Sequence, residues 1–198
     1  MNLANKLTIF RIILVPIMII IPFFSIQGTW LGIPISVILI DAIFIMASIA
    51  DKLDGYIARS RNQVTNFGKF LDPIADKVLV ISAMVMLVEM TKLPAWIPCI
   101  VIFREFVVSG YRLIAVENGG KVIAASIWGK LKTVTQMLAV IVAFIDPNSF
   151  GKVFQGGLSG YELGINIVTT ALMLICVIAT VFSGWDYIKN GKDLLKDR

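Results

Sequence analysis

The sequence predicts an all-α integral membrane protein of about six transmembrane helices with an N-terminal interfacial turn. Three observations carry that expectation. The 198-residue chain is 58% hydrophobic, above the roughly 45–50% of a water-soluble domain. Its apolar residues gather in long runs, each near the roughly 20 residues a helix needs to cross the hydrocarbon layer. Only 16% of its residues are charged. The length suits one domain, 1–198, with no separate soluble part expected.

The first segment is expected at about Leu7–Phe24, with Pro16 as a kink; it lacks a small-residue cleavage site and reads as a retained helix, not a signal peptide. The second runs from about Ile33 to Ala58, the third from about Asp72 to Met90, and the fourth from about Pro94 to Val116. The fifth spans about Ile123–Ile145 and the sixth about Tyr161–Tyr187. "QGTWLGIP", "TKLP" and "DPNSFGKVFQGGLSG" are turns punctuated by Gly and Pro. The tail "YIKNGKDLLKDR" is short and basic and is expected at the membrane surface.

The net charge is +5, and its placement sets an orientation. Lys6 and Arg11 stand near the start, Arg59, Arg61, Lys69 and Lys77 around the second connection, and Arg112 and Lys121 around the fourth. Lys189, Lys192, Lys196 and Arg198 close the chain, whereas the intervening connections hold only Lys92, Lys152 or no charge. The positive-inside rule then puts both termini and the charged connections in the cytoplasm. Dispersed over membrane-flanking turns, these cations fit contact with anionic membrane lipids and not nucleic acid. The chain has no histidine, which excludes histidine triads, histidine zinc sites and histidine proton relays. Cys99 and Cys176 lie far apart in apolar runs and are expected as buried thiols without a disulfide or metal role. Metal chemistry must rest on carboxylates, which favour Mg2+ or Mn2+.

The stretch "DKLDGYIARSRNQVTNFGKFLDPIAD", residues 51–76, supplies those carboxylates. Asp51 and Asp54 are three apart and Asp72 and Asp76 four apart, so each pair shares a helix face. A short turn makes the two helices antiparallel neighbours, with both pairs at one membrane depth. Four carboxylates brought together repel one another, and one or two divalent ions relieve that repulsion. Gly55 and Ala58 keep the face beside Asp54 bare for a bulky ligand, Gly68 does the same or serves the turn, and Arg59 suits a phosphate oxygen. The bland alternative pairs the aspartates with Arg59, Arg61, Lys69 and Lys77 in a solvated turn. Charges inside membrane helices are costly and usually functional, which disfavours it.

Asp51, Asp54, Gly55, Ala58 and Arg59, then Gly68, Asp72 and Asp76, in this spacing, resemble the signature of the CDP-alcohol phosphotransferase family. The resemblance implies six transmembrane helices, a homodimer, a site opening at the cytoplasmic face, and two divalent metals holding the pyrophosphate of a CDP-linked donor. It implies Asp51, Asp54, Asp72 and Asp76 as metal ligands and Asp76 also as the general base. It places Asp54, Gly55, Ala58, Arg59 and Gly68 along the CDP moiety.

The acceptor must be chosen elsewhere. Arg104 lies within the fourth segment beside Glu105, Arg112 follows eight residues later, and Lys130 and Lys132 open the fifth. Residues eight apart differ by roughly 80° around a helix, so Arg104 and Arg112 can address one cavity. Such a cluster suits an acceptor carrying its own phosphate; alternatively Arg104 pairs with Glu105 or Asp41 and the lysines snorkel to the interface. "NLANKLTIFRIILVP", "REFVVSGYRLIA" and "ASIWGKLKT" are similar to the phosphatidylglycerophosphate synthase branch of the same family, departing from its usual opening at Ala4, where proline is common. That similarity implies CDP-diacylglycerol as donor and sn-glycerol 3-phosphate as acceptor. Asn5 and Thr8 either reach the nucleotide or only start the first helix. Another acceptor (inositol phosphate, serine or phosphatidylglycerol) remains open within the family. Outside it, a small cation transporter using the aspartates as an ion path remains open.

Overall fold

The computed structural model of the protein describes residues 3–60, 66–117 and 127–191; within these, the side chains of 3–4, 54–60, 66–67, 69–70, 116–117 and 190–191 are outside the description. Helix α1 (Leu3–Ile20) ends in a 3-10 turn, Ile21–Phe23. A minimal hairpin of β1 (Thr29–Trp30) and β2 (Ile33–Pro34) leads into α2 (Ile35–Ser60). Then come α3 (Asn66–Glu89), α4 (Trp96–Glu117), α5 (Ile127–Ile145), a 3-10 turn at Lys152–Gln155 and α6 (Gly160–Gly191). Among the described residues the protein is all-α apart from the hairpin.

Helix α1 runs through Pro16. Helix α3 begins at Asn66, before the expected Asp72, and carries Pro73 inside it. Helices α2 and α6 extend past Ala58 and Tyr187. The apolar run marks where hydrocarbon ends, whereas a helix, whose hydrogen bonds are internal, continues into the polar layer. As a result Gly68, Asp72 and Asp76 all sit on one helix. Arg61, Lys121, Lys192, Lys196 and Arg198, part of the expected charge pattern, lie outside the described residues.

The chain forms two compact units, Met1–Leu93 with Val140–Ser149 and Pro94–Ala139 with Phe150–Arg198. In the first, α1 packs on α2 and α3, and α2 packs on α3. The hairpin pairs Thr29 with Pro34 and Trp30 with Ile33; Leu31 (φ 52°) and Gly32 (φ 79°) make its left-handed two-residue turn. Before it, Gly28 has φ 110°, and a Cβ there would meet Ile35 Cδ1 at 2.8 Å. Helix α3 ends with Thr91 at φ 57°. The Lys92 amide donates to Leu87 O at 2.9 Å and the Thr91 amide to Val88 O at 2.9 Å, the two bonds of a Schellman end. Lys92 Nζ then donates to Phe144 O (2.6 Å), Asp146 O (2.7 Å) and Ala143 O (3.4 Å), a cation on the last carbonyls of α5. Burial pushes the Lys92 ammonium below the usual lysine range, opposed by the charges of Asp146 and Asp41.

In the second unit α4 packs on α6. Trp128 stacks on Phe182 with ring centroids 4.9 Å apart, and Trp96 meets Phe150 edge-on at 6.2 Å. Buried Asn166 and Thr170 of α6 hold the preceding connection: the Val153 amide donates to Asn166 Oδ1 (2.8 Å) and the Gly151 amide to Thr170 Oγ1 (3.2 Å).

Within the helices, polar side chains are buried beside a hydrophobic core while many large apolar ones are exposed. Asn5, Thr8 and Arg11 of α1 are buried, while Ile13, Ile17 and Ile20 are exposed. In α6, Asn166, Thr169, Thr180 and Ser183 are buried and Ile167, Ile178, Val181 and Phe182 exposed. Buried hydroxyls satisfy themselves on the preceding turn, as Thr180 does on Cys176 O (2.6 Å) and Ser48 on Phe44 O (2.8 Å). Among the described residues, three helices are long and apolar enough to cross a membrane: Asn5–Phe23, Ile127–Ile145 and Gly160–Lys189.

Candidate active site

The first unit builds its polar centre from three helices. On α1, Asn5, Thr8 and Arg11 recur every third residue, so they lie along one side of the helix, and all three are buried. Arg11 has no exposed surface. Its Nη1 donates to Asp51 Oδ1 of α2 in a salt bridge, and its Nη2 stands 3.9 Å from Asp72 Oδ1 of α3. Thr8, one turn earlier, donates to the same Asp72 oxygen at 2.7 Å. The two aspartates are more open, with 27% and 44% of their side-chain surface exposed. A cation therefore sits behind them, on the protein side.

The structure thus brings Asp51 and Asp72 together from separate helices, as the motif implies. Asp76 lies one turn beyond Asp72 on α3 and is half-buried, and Gly68 is buried one turn before it. Asp54, Gly55, Ala58 and Arg59 follow Asp51 on α2, and their side chains lie outside the described ones. The expectation of unpaired carboxylates needs correction for Asp51 and Asp72. Among the described residues, both have partners on α1; the side chains of Arg59, Arg61 and Lys69 lie outside the described ones. The signal for Arg11 was present as an arginine inside the first apolar run, in register with Asn5 and Thr8, although counting it as a flanking charge hid it.

Two carboxylates around one guanidinium leave a charge of −1 before Asp54 and Asp76 are added. Thr8 and Arg11 address Oδ1 of Asp72, and Arg11 addresses Oδ1 of Asp51. Hard oxygen donors and excess negative charge fit a divalent cation such as Mg2+ or Mn2+. No cluster of three His, Cys, Asp or Glu side chains poised for a metal occurs among the described residues, and Asp54 is not among them.

The second unit gathers cations. Arg104 and Arg112 of α4 both approach the Tyr187 ring of α6, at 5.7 and 5.6 Å from its centroid, so the 80° spacing converges as expected. Arg112 Nη2 donates to Tyr187 Oη at 2.8 Å. Arg104 Nη1 donates to Glu105 Oε1 at 3.0 Å and its Nη2 to Ser183 Oγ. Lys132 of α5 is buried and bonds the same Glu105 oxygen. Lys130 is exposed; two residues along a helix is a rotation of about 200°, so it does not join Lys132. Tyr187 and Ser183, which complete the cluster, lie in an apolar stretch with no local sequence signal. Among the thiols, Cys176 is buried but Cys99 is exposed, since an apolar residue on a lipid-compatible surface has no need of a core.

Comparison with known proteins bears on both clusters. The family model for CDP-alcohol phosphatidyltransferase matches residues 1–183. A Bacillus subtilis protein named CDP-diacylglycerol--glycerol-3-phosphate 3-phosphatidyltransferase is 39% identical over 200 residues, covering 98% of this chain and 97% of its own. A Haemophilus influenzae protein of the same name is 38% identical, covering 99% and 96%. A Mycobacterium tuberculosis protein named probable phosphatidylglycerophosphate synthase is 35% identical, covering 96% and 81%. With a match over nearly its whole length and Asp51 and Asp72 brought together from two helices, this membrane protein belongs to the CDP-alcohol phosphatidyltransferase family.

Proposed function

We propose that the protein transfers the phosphatidyl group of CDP-diacylglycerol to sn-glycerol 3-phosphate, giving phosphatidylglycerophosphate and CMP. The observation that carries this is the convergence of Asp51 and Asp72 on one point beside Thr8 and Arg11. The near-full-length relatives named for that reaction support the choice of substrates. The acceptor hydroxyl oxygen attacks the β-phosphorus of the donor. The new O–P bond forms as the bond to the bridging pyrophosphate oxygen breaks, CMP leaves, and Asp76 takes the hydroxyl proton. Asp51, Asp54, Asp72 and Asp76 are the residues to hold Mg2+ or Mn2+, two ions in all. Bound there, the metal supplies charge neutralisation on the pyrophosphate and lowers the acceptor hydroxyl's pKa. Asn5, Thr8, Gly55, Ala58, Arg59 and Gly68 line the donor's CDP moiety; buried Thr8 orients Asp72 through its hydroxyl.

Arg104, Arg112 and Lys132 are assigned to the acceptor phosphate; Lys130, exposed on another side of α5, is left out of that set. Support comes from Arg104 and Arg112 meeting at Tyr187 and from Glu105 holding Arg104 and Lys132 in place. The whole chain acts as one domain of six transmembrane helices, dimeric, with both termini and the site at the cytoplasmic face. A lipid donor fits this setting, because its acyl chains stay in the bilayer while its headgroup reaches the carboxylates.

The test is release of CMP by purified protein given CDP-diacylglycerol and Mg2+ or Mn2+, with each acceptor in turn. Glycerol 3-phosphate is expected to elicit metal-dependent release, and inositol phosphate, serine and phosphatidylglycerol are not. Release with one of those instead reassigns the acceptor, and release with none removes the activity.

A further inference from the structure

Arg11 belongs to no part of the aspartate motif, comes from a different helix, and yet is the residue that joins the motif's two halves. It is wholly buried, whereas Asp51 and Asp72 are 27% and 44% exposed. A buried guanidinium is stable only when its charge is matched by hydrogen-bonded carboxylates. The dependence is mutual: without a cation, two carboxylates from α2 and α3 at one point repel and push those helices apart. Thr8 fixes the register of this arrangement by donating to the same Asp72 oxygen at 2.7 Å. The guanidinium's planar fork suits a residue that must reach two acceptors on different helices, which a lysine ammonium on a single point does less well.

From this geometry we infer that Arg11 is the resident counter-cation of the aspartate centre, a positioning residue with two effects on metal binding. It keeps Asp51 and Asp72 gathered when no metal is bound, so α1, α2 and α3 stay assembled. It also places a fixed positive charge beside the carboxylates, which weakens their hold on a divalent ion and keeps that ion exchangeable. Metal binding thus works against Arg11, and the protein stays assembled without metal. The inference rests on the aspartates being metal ligands and adds what sets their affinity.

The experiment compares detergent-purified full-length protein with its Arg11→Gln and Arg11→Lys variants. Mn2+ titration followed by the paramagnetic resonance of the free ion gives the affinity, and thermal melting in excess EDTA or excess Mn2+ gives the stability. Removing one unit charge a few Å from a dication is expected to tighten Mn2+ binding by about tenfold or more in Arg11→Gln. The same variant melts earlier than wild type in EDTA and recovers in Mn2+, and its midpoint rises more between the two than the wild-type midpoint does. Arg11→Lys keeps the charge and holds Mn2+ with near wild-type affinity. If Arg11→Gln is recovered folded only when Mn2+ is present throughout purification, the metal is replacing the lost cation and the inference stands. Unchanged or weaker Mn2+ binding by Arg11→Gln overturns it, as does equal destabilisation with and without metal, since a merely structural arginine gives that pattern. Wild-type protein that binds no Mn2+ at all overturns the assignment of the aspartates as ligands, and this inference with it.

Discussion

Tyr187 shows how a single side chain organises a charged cluster in an apolar helix. Buried on α6, it accepts the Arg112 guanidinium on its hydroxyl at 2.8 Å and presents its ring to both Arg112 and Arg104. Arginine over an aromatic face is attracted by the ring quadrupole, and Glu105 offsets part of the remaining charge. Arg104 is tied to Glu105 and Ser183 as well, whereas Arg112 is the more exposed of the two. Arg112 is therefore the residue to hand a guanidinium to an incoming phosphate. Loss of a charge-assisted bond costs about 1.5–3 kcal/mol. Arg112→Ala is accordingly expected to raise the glycerol 3-phosphate KM by about ten- to hundredfold, with the donor KM nearly unchanged. Steady-state kinetics with each substrate varied in turn measures this, and an equal rise in both constants places Arg112 outside the acceptor site.

At the scale of the elements, the helices extend beyond their apolar runs, and the aspartates stand close to the ends of those runs. Asp51 and Asp72 were legible because their spacing along one helix and across a short connection is a local property. The meeting of Arg104 with Arg112 was legible for the same reason, as a rotation of about 80° on α4. Arg11, Tyr187 and Ser183 were not, because their partners lie 40, 75 and 79 residues away, and no local period encodes such contacts. Lys92 is a further long-range case, with its ammonium closing the carbonyl end of α5 from 52 residues away. Lys92→Met keeps the aliphatic stem but leaves carbonyls at the end of α5 without their donor, which costs about 1–3 kcal/mol. A lowered melting midpoint with little change in the KM for either substrate is expected; an unchanged midpoint refutes the capping role. The start of α3 at Asn66 was hidden by Asp72–Pro73, a pair that reads as a helix beginning.

Across the described residues of the whole molecule, a hydrophobic core with polar side chains set into it coexists with many large apolar residues on the surface, the faces for which a bilayer serves as solvent. This is why composition alone indicated the fold class, and why burial of Cys99 did not follow from its apolar neighbourhood. Phosphatidyl transfer from CDP-diacylglycerol to glycerol 3-phosphate, with Asp76 as base, is the central claim. Its most direct measurement is mass spectrometry of the lipid product formed from CDP-diacylglycerol and deuterated glycerol 3-phosphate by wild type and Asp76→Asn in parallel. Wild type is expected to give a phosphatidylglycerophosphate carrying the full deuterium label, in step with CMP and only with divalent metal, and Asp76→Asn to give it about 100- to 10,000-fold more slowly. CMP release without a labelled lipid, or labelled lipid formed at the wild-type rate by Asp76→Asn, contradicts it.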